Sequence, residues 1–507
     1  MTTTKIRAGV REWTGLAVLV LPCLVVSMGS NVLHLALPEI SETLRPTNSQ
    51  LLWIVDGYVF LLAGSLMTMG ALSDRIGRRR LLVLGGGAYG VLSLLAALAT
   101  TAEMLIAART LLGIAGATLM PSTLSLIRSM FVDDRQRNTA LGVWTASFAL
   151  GGVIGPVVGG LLLGTYWWGS VFLVATPVML LLVILGPRLL PEFRDADASP
   201  VDLSSAALSV ASVLLIVYGI TRLAESGAGP QALAALIVGS GLGAVFLARQ
   251  RRRPTFGLEL FGRRTYWLPV AVNAIAFFVL YGMQFLLAQY LQLVLGLSPL
   301  EAGLWTIPSA LGYLLGSVLA PRVANRLRPG AGLGAGLLLS AVGFALLVPV
   351  PSGGGLPLYV VASVVLSVGL APVYVVATAM AVSAAPERHA GRASALLETC
   401  TNLGGALGIA VLGSIAGLVF RARMSQIPPA AVPTGAWQAA GGTVGRAVDV
   451  ARDLPGAGAS ALLDAAHAAF GAAFQTTQLL GAAMLVGMAI AAVVLLRSQS
   501  SPGRDDR

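Results

Sequence analysis

Three ionisable side chains stand in stretches that are otherwise apolar. Asp56 lies in LLWIVDGYVF, Glu398 in SALLETCTNLGG and Arg109 in LIAARTLLGIAGA. A charge inside a membrane span costs about 2.5–3.5 kcal/mol on insertion scales, so such groups are functional candidates by default. Burial raises a carboxyl's proton affinity toward working pH. The acid then holds a proton until a cation competes for its oxygens, and that competition is proton-for-cation exchange. The plain alternative for each acid is a buried carboxyl satisfied by neighbouring donors. Arg109 is either functional or snorkels to the outer surface, since it sits only a few residues into its run.

Other chemistries lack their parts. His34, His389 and His467 are far apart and no H-E-x-x-H occurs, so a zinc hydrolase has no ligand set. Lys5 is the sole lysine, which removes any G-x-x-x-x-G-K-[ST] phosphate loop and ATP hydrolysis by that route. Cys23 and Cys400 sit in apolar runs and read as buried thiols without a disulfide. No nucleophile–base pair stands out. The expectation is a non-enzyme with no metal and no organic cofactor.

The elements that position these groups follow from composition. Of 507 residues, 56% are hydrophobic and 11% charged, less than half the roughly 25% charged of soluble proteins. Fourteen apolar segments run over 15–37, 51–72, 81–99, 104–126, 139–163, 171–190, 205–223, 231–249, 266–294, 301–322, 331–350, 358–384, 393–420 and 472–496. At about 20 residues per crossing, they predict an all-α polytopic protein with fourteen transmembrane helices. The basic leader MTTTKIRAGVREW flows into the first, which reads as an uncleaved span. Of the 33 basic residues, 26 fall on one side of this topology, which places both termini in the cytoplasm. The same bias accounts for the net charge of +11 without a nucleic-acid partner. Residues 421–471 form an extracellular segment that reads as a helical hairpin, either a lid or a packing element.

The chain repeats itself. Leu150-Gly-Gly-Val-Ile-Gly-Pro-Val-Val-Gly-Gly160 matches Leu403-Gly-Gly-Ala-Leu-Gly-Ile-Ala-Val-Leu-Gly413 at an offset of 253. Leu52-Trp53 and Gly64-Ser65 match Leu304-Trp305 and Gly316-Ser317 at an offset of 252. Two six-helix halves are expected, 15–190 and 266–497, with an inserted pair over 205–249. Paired repeats about an axis along the membrane normal are a common transporter plan, and rocking one half on the other gives alternating access.

Three motifs carry a resemblance. Gly70-Ala-Leu-Ser-Asp74-Arg75-Ile-Gly77-Arg78-Arg79-Arg80 resembles the signature G-x-L-x-D-R-x-G-R-[KR] of the major facilitator superfamily. That implies a cytoplasmic gate loop which stabilises the outward-facing state, with Gly70 allowing close helix approach and Gly77 a tight turn. Arg109-x-x-x-Gly113 resembles the superfamily's second motif, linked to proton coupling. Gly151-x-x-x-Gly155-Pro156-x-x-Gly159-Gly160 resembles the motif of its antiporter branch, which implies export rather than import. Together with Leu51-Leu-Trp-Ile-Val-Asp56-Gly-Tyr58, LLGIAGATLMPSTLSLIR and the hairpin, nearly the whole chain is similar to the QacA type. These are fourteen-helix drug:H⁺ antiporters that export antiseptics and quaternary ammonium compounds.

The chain departs from that type where it matters chemically. The type has Asp where Gly29 and Tyr313 stand here, and acids where Leu397 and Asn402 flank Glu398; two of six membrane acids remain. Monovalent amphiphilic cations or near-neutral lipophilic compounds are therefore expected over dications. His34, near Gly29, is either a titrating group or a structural polar residue. Tyr281, Gln284 and Phe285 at i, i+3 and i+4, with Trp53, Trp144, Phe148, Trp305, Tyr313 and Tyr374, are candidate cavity linings. Interface anchoring is the alternative for them, and is the reading for Trp167 and Trp168. The expected partners are a small lipophilic substrate, protons and the bilayer, with a monomer as the working unit in a bacterial plasma membrane. A dedicated exporter of one metabolite, such as a self-made antibiotic or lipid, is the alternative reading.

Overall fold

The computed structural model describes residues 8–131, 133–193, 202–226, 229–252, 258–349, 355–384, 390–425 and 431–496. Within these ranges, the side chains of Asp56, Asp74 and Phe148 lie outside the described residues. The described chain is helical, without strands. Its first helices are α1 (Val10–Leu44), α2 (Asn48–Ile76), α3 (Arg78–Ala97), α4 (Ala102–Met130), α5 (Asp134–Thr165), α6 (Ser170–Leu173) and α7 (Ala175–Leu189). Then come α8 (Leu203–Ser226) and α9 (Pro230–Arg252). The last are α10 (Arg264–Gln289), α11 (Pro299–Arg326), α12 (Pro329–Leu347), α13 (Leu356–Ser383), α14 (Ala390–Met424), α15 (Thr434–Ala440), α16 (Val444–Arg452) and α17 (Gly456–Leu495).

Local chemistry sets several boundaries. The Thr47 hydroxyl accepts from the Gln50 N–H while the Gln50 side chain accepts from the Thr47 N–H, a reciprocal cap that starts α2. Thr101 starts α4 in the same sense through the Met104 N–H. Pro177 has no N–H to offer the Leu173 carbonyl, and the sixth apolar segment breaks there into α6 and α7. The last segment is longer than its apolar part: α17 begins at Gly456, because its Ala-rich start holds good helix formers and no proline. The hairpin read over 421–471 thus consists of α16 and the start of α17, with the short α15 before them.

Each of the fourteen apolar segments falls on a helix. Among the described residues, eleven helices are long and apolar enough to cross a membrane. The count is twelve if the arms Ser49–Val55 and Gly57–Leu66 of α2, which meet at 45°, make one crossing. In α5 and α8 the apolar stretches are shorter, Leu150–Thr165 and Ala207–Leu223. This is a multi-pass membrane protein.

Packing repeats along the chain. α1 packs on α5, α2 on α4, and α3 on both α4 and α7. In the same relation α10 packs on α14, α11 on α13, and α12 on both α13 and α17. Two seams join these sets, α5 with α11 and α2 with α14. Lipid offers no hydrophobic drive between helices, so close backbone approach at small residues has to supply the contact. A Cβ on Gly151, Gly155 or Gly159 would press on Leu24, Met28 and Val32, one turn apart down α1. Gly404 and Gly408 admit Ala274 and Phe278 of α10 in the same way. The repeat seen in the sequence is thus one helix-pair contact built twice.

The α8–α9 pair is attached to one seam only. Phe60 and Leu61 of α2, Val217 of α8, and Ala406 and Ala410 of α14 form one apolar cluster. Asp202 caps α8 through the Ser205 N–H and pairs with Arg249 of α9 at 3.2 Å. Burial works against its charge, but donors on Ser205, Arg249 and Ser204 prevail and hold its carboxyl below the usual carboxylate range.

At one end of the bundle the sets are drawn together. Gly160 and Pro156 of α5 meet Leu300 and Gly303 of α11, Gly413 meets Leu52, and the Gln292 amide donates to the Leu35 carbonyl at 3.1 Å. The hairpin sits at this end. Arg452 of α16 pairs with Glu42 of α1, and Phe474 of α17 stacks on Tyr290 with ring centres 5.0 Å apart. The opposite end carries the Arg78–Arg80 turn.

The packing predicts a contrast between two glycines. Gly408→Ala puts a Cβ into the Phe278 carbonyl, and overpacking of this kind costs about 1–3 kcal/mol. The thermal midpoint of the purified protein should fall. Gly152→Ala, whose Cβ meets nothing within 4 Å, should leave it unchanged; equal effects would contradict the assigned packing.

Candidate transport site and gate

Glu398 is held by two neighbours. The Tyr374 hydroxyl of α13 donates to its Oε2 at 3.4 Å, and the Asn402 amide, one turn further along α14, donates to Oε1 at 3.0 Å. A second aspartate at 402 would repel this carboxylate, whereas the amide supports its charge. When ionised, the group presents a single negative charge. Around it stand rings from three helices. Tyr374 lies 5.3 Å from Phe277, which lies 5.6 Å from Tyr281, both on α10. Tyr281 and, from α11, Tyr313 are within electrostatic reach of Glu398. The Tyr281 ring fits against α14 because residue 405 is glycine; a Cβ there would come within 2.6 Å of it. A carboxylate beside aromatic faces suits an organic monocation.

Arg109 is 4% exposed and does not snorkel. Its Nε donates to the Ile54 carbonyl at 3.0 Å, just before the 45° break in α2. The guanidinium carbon lies 4.6 Å from the Tyr58 ring centre and 5.9 Å from that of Phe172. One turn along each helix, Gly113 abuts the Tyr58 carbonyl. The motif Arg109-x-x-x-Gly113 thus clasps α2 at two successive turns. Asp56 lies on α2 between them, its side chain outside the described residues.

The turn between α2 and α3 is built on Gly77, whose φ of +112° suits glycine and whose Cβ would meet a Glu192 oxygen at 2.5 Å. Glu192 accepts from the Arg79 N–H at 3.1 Å and pairs with the Arg79 Nε at 3.4 Å and the Arg80 Nε at 3.8 Å. Arg79 also donates to the Pro187 and Leu190 carbonyls at the end of α7, and the Arg78 N–H donates to the Phe193 carbonyl. Arg75 is exposed, and the Asp74 side chain lies outside the described residues. Gly70 corrects an expectation. Its Cβ would stand 3.9 Å from Pro121, an ordinary contact, and α2 and α4 close instead at Gly57 and Gly113. Sequence reading missed Glu192, because more than a hundred residues separate it from the arginines it binds.

The remaining residues divide. Phe285 is 3% exposed and packs on Gly413 within the helix contact. Gln284, next to it on α10, is partly buried. Trp53 lies 6.4 Å from the Phe60 ring. Trp144 donates to the Thr123 hydroxyl, while Trp305 is 38% exposed on the outer face. His34 is half-buried, its Nδ1 enclosed and unpartnered among the described residues. Cys23 and Cys400 are free thiols.

The chain has relatives among known proteins. Over 497 residues, 97% of both chains, this sequence is 42% identical to the multidrug efflux pump LfrA of Mycolicibacterium smegmatis. It is 35% identical to the methyl viologen resistance protein SmvA of Salmonella typhimurium over 91% of this chain and 93% of that one. It is 30% identical to the tetracenomycin C resistance and export protein of Streptomyces glaucescens over 95% and 91%. In fold it is similar to a bacterial homologue of the human lysosomal transporter Spinster in an inward-facing, unoccupied conformation, with a TM-score of 0.66 at 19% identity, covering 98% of this chain and all of that one. The Major Facilitator Superfamily profile matches residues 20–409, and the chain belongs to that family of transporters, not to an enzyme family.

Proposed function

We infer that the chain is a proton-coupled antiporter which exports lipophilic monovalent cations, drugs or antiseptics among them, across the bacterial plasma membrane. The observation that carries this is the single carboxylate of Glu398 set among Tyr374, Phe277, Tyr281 and Tyr313, with Asn402 as a neutral donor. The multidrug efflux and the antibiotic export in the names of two relatives support export of drug-like compounds, whereas methyl viologen, named in a third, is a dication and lies outside the monovalent class. On this reading the protein has fourteen crossings. Residues 15–190 and 266–497 are its halves, and 205–249 the inserted pair. The repeated packing of α1–α7 and α10–α17 supports that division.

The arginine-rich end faces the cytoplasm, with both termini, and the hairpin end faces outward. The contacts at the hairpin end support a state closed to the outside. Substrate then reaches Glu398 from the cytoplasm or inner leaflet. The halves rock about the α5–α11 and α2–α14 seams, where Pro156 and Gly160 meet α11, while Gly151, Gly155 and Gly159 keep α5 fixed on α1. A proton arriving from outside neutralises Glu398 and releases the cation. Asp56, clasped between the two turns held by Arg109 and Gly113, is the second proton-handling acid. The Gly70–Arg80 loop is the cytoplasmic gate, here tied within its own half through Glu192. The monomer suffices, since every part named lies in one chain.

A second reading has its own support. The loss of acids relative to the QacA type, and the similarity to an exporter of one antibiotic, favour a dedicated exporter of a single metabolite.

Vesicles with an imposed pH gradient test the mechanism. Glu398→Gln should cut proton-driven efflux of a monovalent dye by tenfold or more, as expected when about 1.4 kcal/mol or more of the driving interaction is lost. If Asp56→Asn and Glu398→Gln both leave efflux intact and proton-coupled, the mechanism is wrong. Growth tests of expressing cells separate the two substrate readings. Resistance to many dyes and antiseptics fits the multidrug pump, and protection against one compound alone fits the dedicated exporter.

A further inference from the structure

A small cavity lies between α1, α3, α4 and the break between α6 and α7. Gly29, Met28, Tyr89, Ser93, Arg109 and Phe172 line it. It offers about 20 Å³ to the centre of a water-sized particle, room for one water or one monatomic ion and far too little for a drug. Arg109 is the charge on its wall. Beyond the Ile54 carbonyl, the described residues give its guanidinium aromatic faces and no carboxylate. The Tyr89 and Ser93 side chains, 5% and 1% exposed, add hydroxyls that can donate.

Burying an arginine is expensive, and the cost falls steeply when a charge of opposite sign is supplied. A positive wall, two hydroxyl donors and the volume of one ion together define an anion site. We propose that this cavity binds a small monovalent anion of the halide class, which neutralises Arg109 inside the first helical set.

Two features make the idea testable without disturbing the fold. A Cβ on Gly29 would meet nothing within 4 Å, so Gly29→Asp brings a tethered carboxylate to the cavity. Gluconate matches chloride in charge and is too large to enter.

Radiolabelled chloride binding to the purified full chain should saturate at about one ion per chain. Bromide should compete and gluconate should not. The thermal midpoint should rise with chloride, as for any ligand that binds only the folded state. In Gly29→Asp, the midpoint in gluconate should already exceed that of the unaltered chain. Its chloride affinity should fall about tenfold or more, the scale of one charge-assisted contact. Arg109→Gln should lose chloride binding as well. The proposal is overturned if the unaltered chain shows no saturable chloride binding, or if binding survives Gly29→Asp undiminished. Because the readouts are binding and stability, failure here leaves the exporter reading untouched, and failure of proton-driven efflux leaves this site untouched.

Discussion

The structure rests on backbones brought together at glycines. In a membrane the outside of a helix is as apolar as its neighbours, so side-chain hydrophobicity does not choose a partner. What chooses is the depth of approach. Gly151, Gly155 and Gly159 set α5 against Leu24, Met28 and Val32, and Gly404 and Gly408 set α14 against Ala274 and Phe278. Each ladder holds one set of helices rigid. On other faces of the same two helices, Gly160 meets Leu300 and Gly413 meets Leu52 across the seams. One helix in each set therefore serves both as internal brace and as bearing surface.

Charge is used with similar economy. Glu398 owes its setting to Gly405, which admits the Tyr281 ring, and to Asn402, which supports one negative charge without adding another. Arg109 is drawn inward by the Ile54 carbonyl and the Tyr58 ring. Both groups sit beside small residues that let a neighbouring helix come close. Packing and electrostatics are thus the same design decision at each site.

The symmetry is broken in two places. α8 rests on α2 and α14, so that seam carries a helix pair beside it. At the hairpin end, Arg452 ties α16 to Glu42 of α1, and Tyr290 stacks on Phe474. A segment between α14 and α17 of the second set thereby grips the first, a contact between residues more than four hundred apart.

Much of this was legible in the residues alone. Apolar runs locate the helices because each must satisfy its own backbone and cover about 20 residues of thickness. The spaced glycines of 150–160 and 403–413 disclose a repeat, and Gly77 a turn, because no other residue tolerates those positions cheaply. Glu398 and Arg109 declare themselves by cost. Tertiary structure alone decided which way these groups turn. Whether Arg109 snorkels or clasps α2, whether Gly70 or Gly113 closes α2 on α4, and that Glu192 binds the arginine turn all depend on contacts between distant segments. Local sequence sets the price of a buried charge or a missing side chain, while only the fold supplies the partner that offsets it.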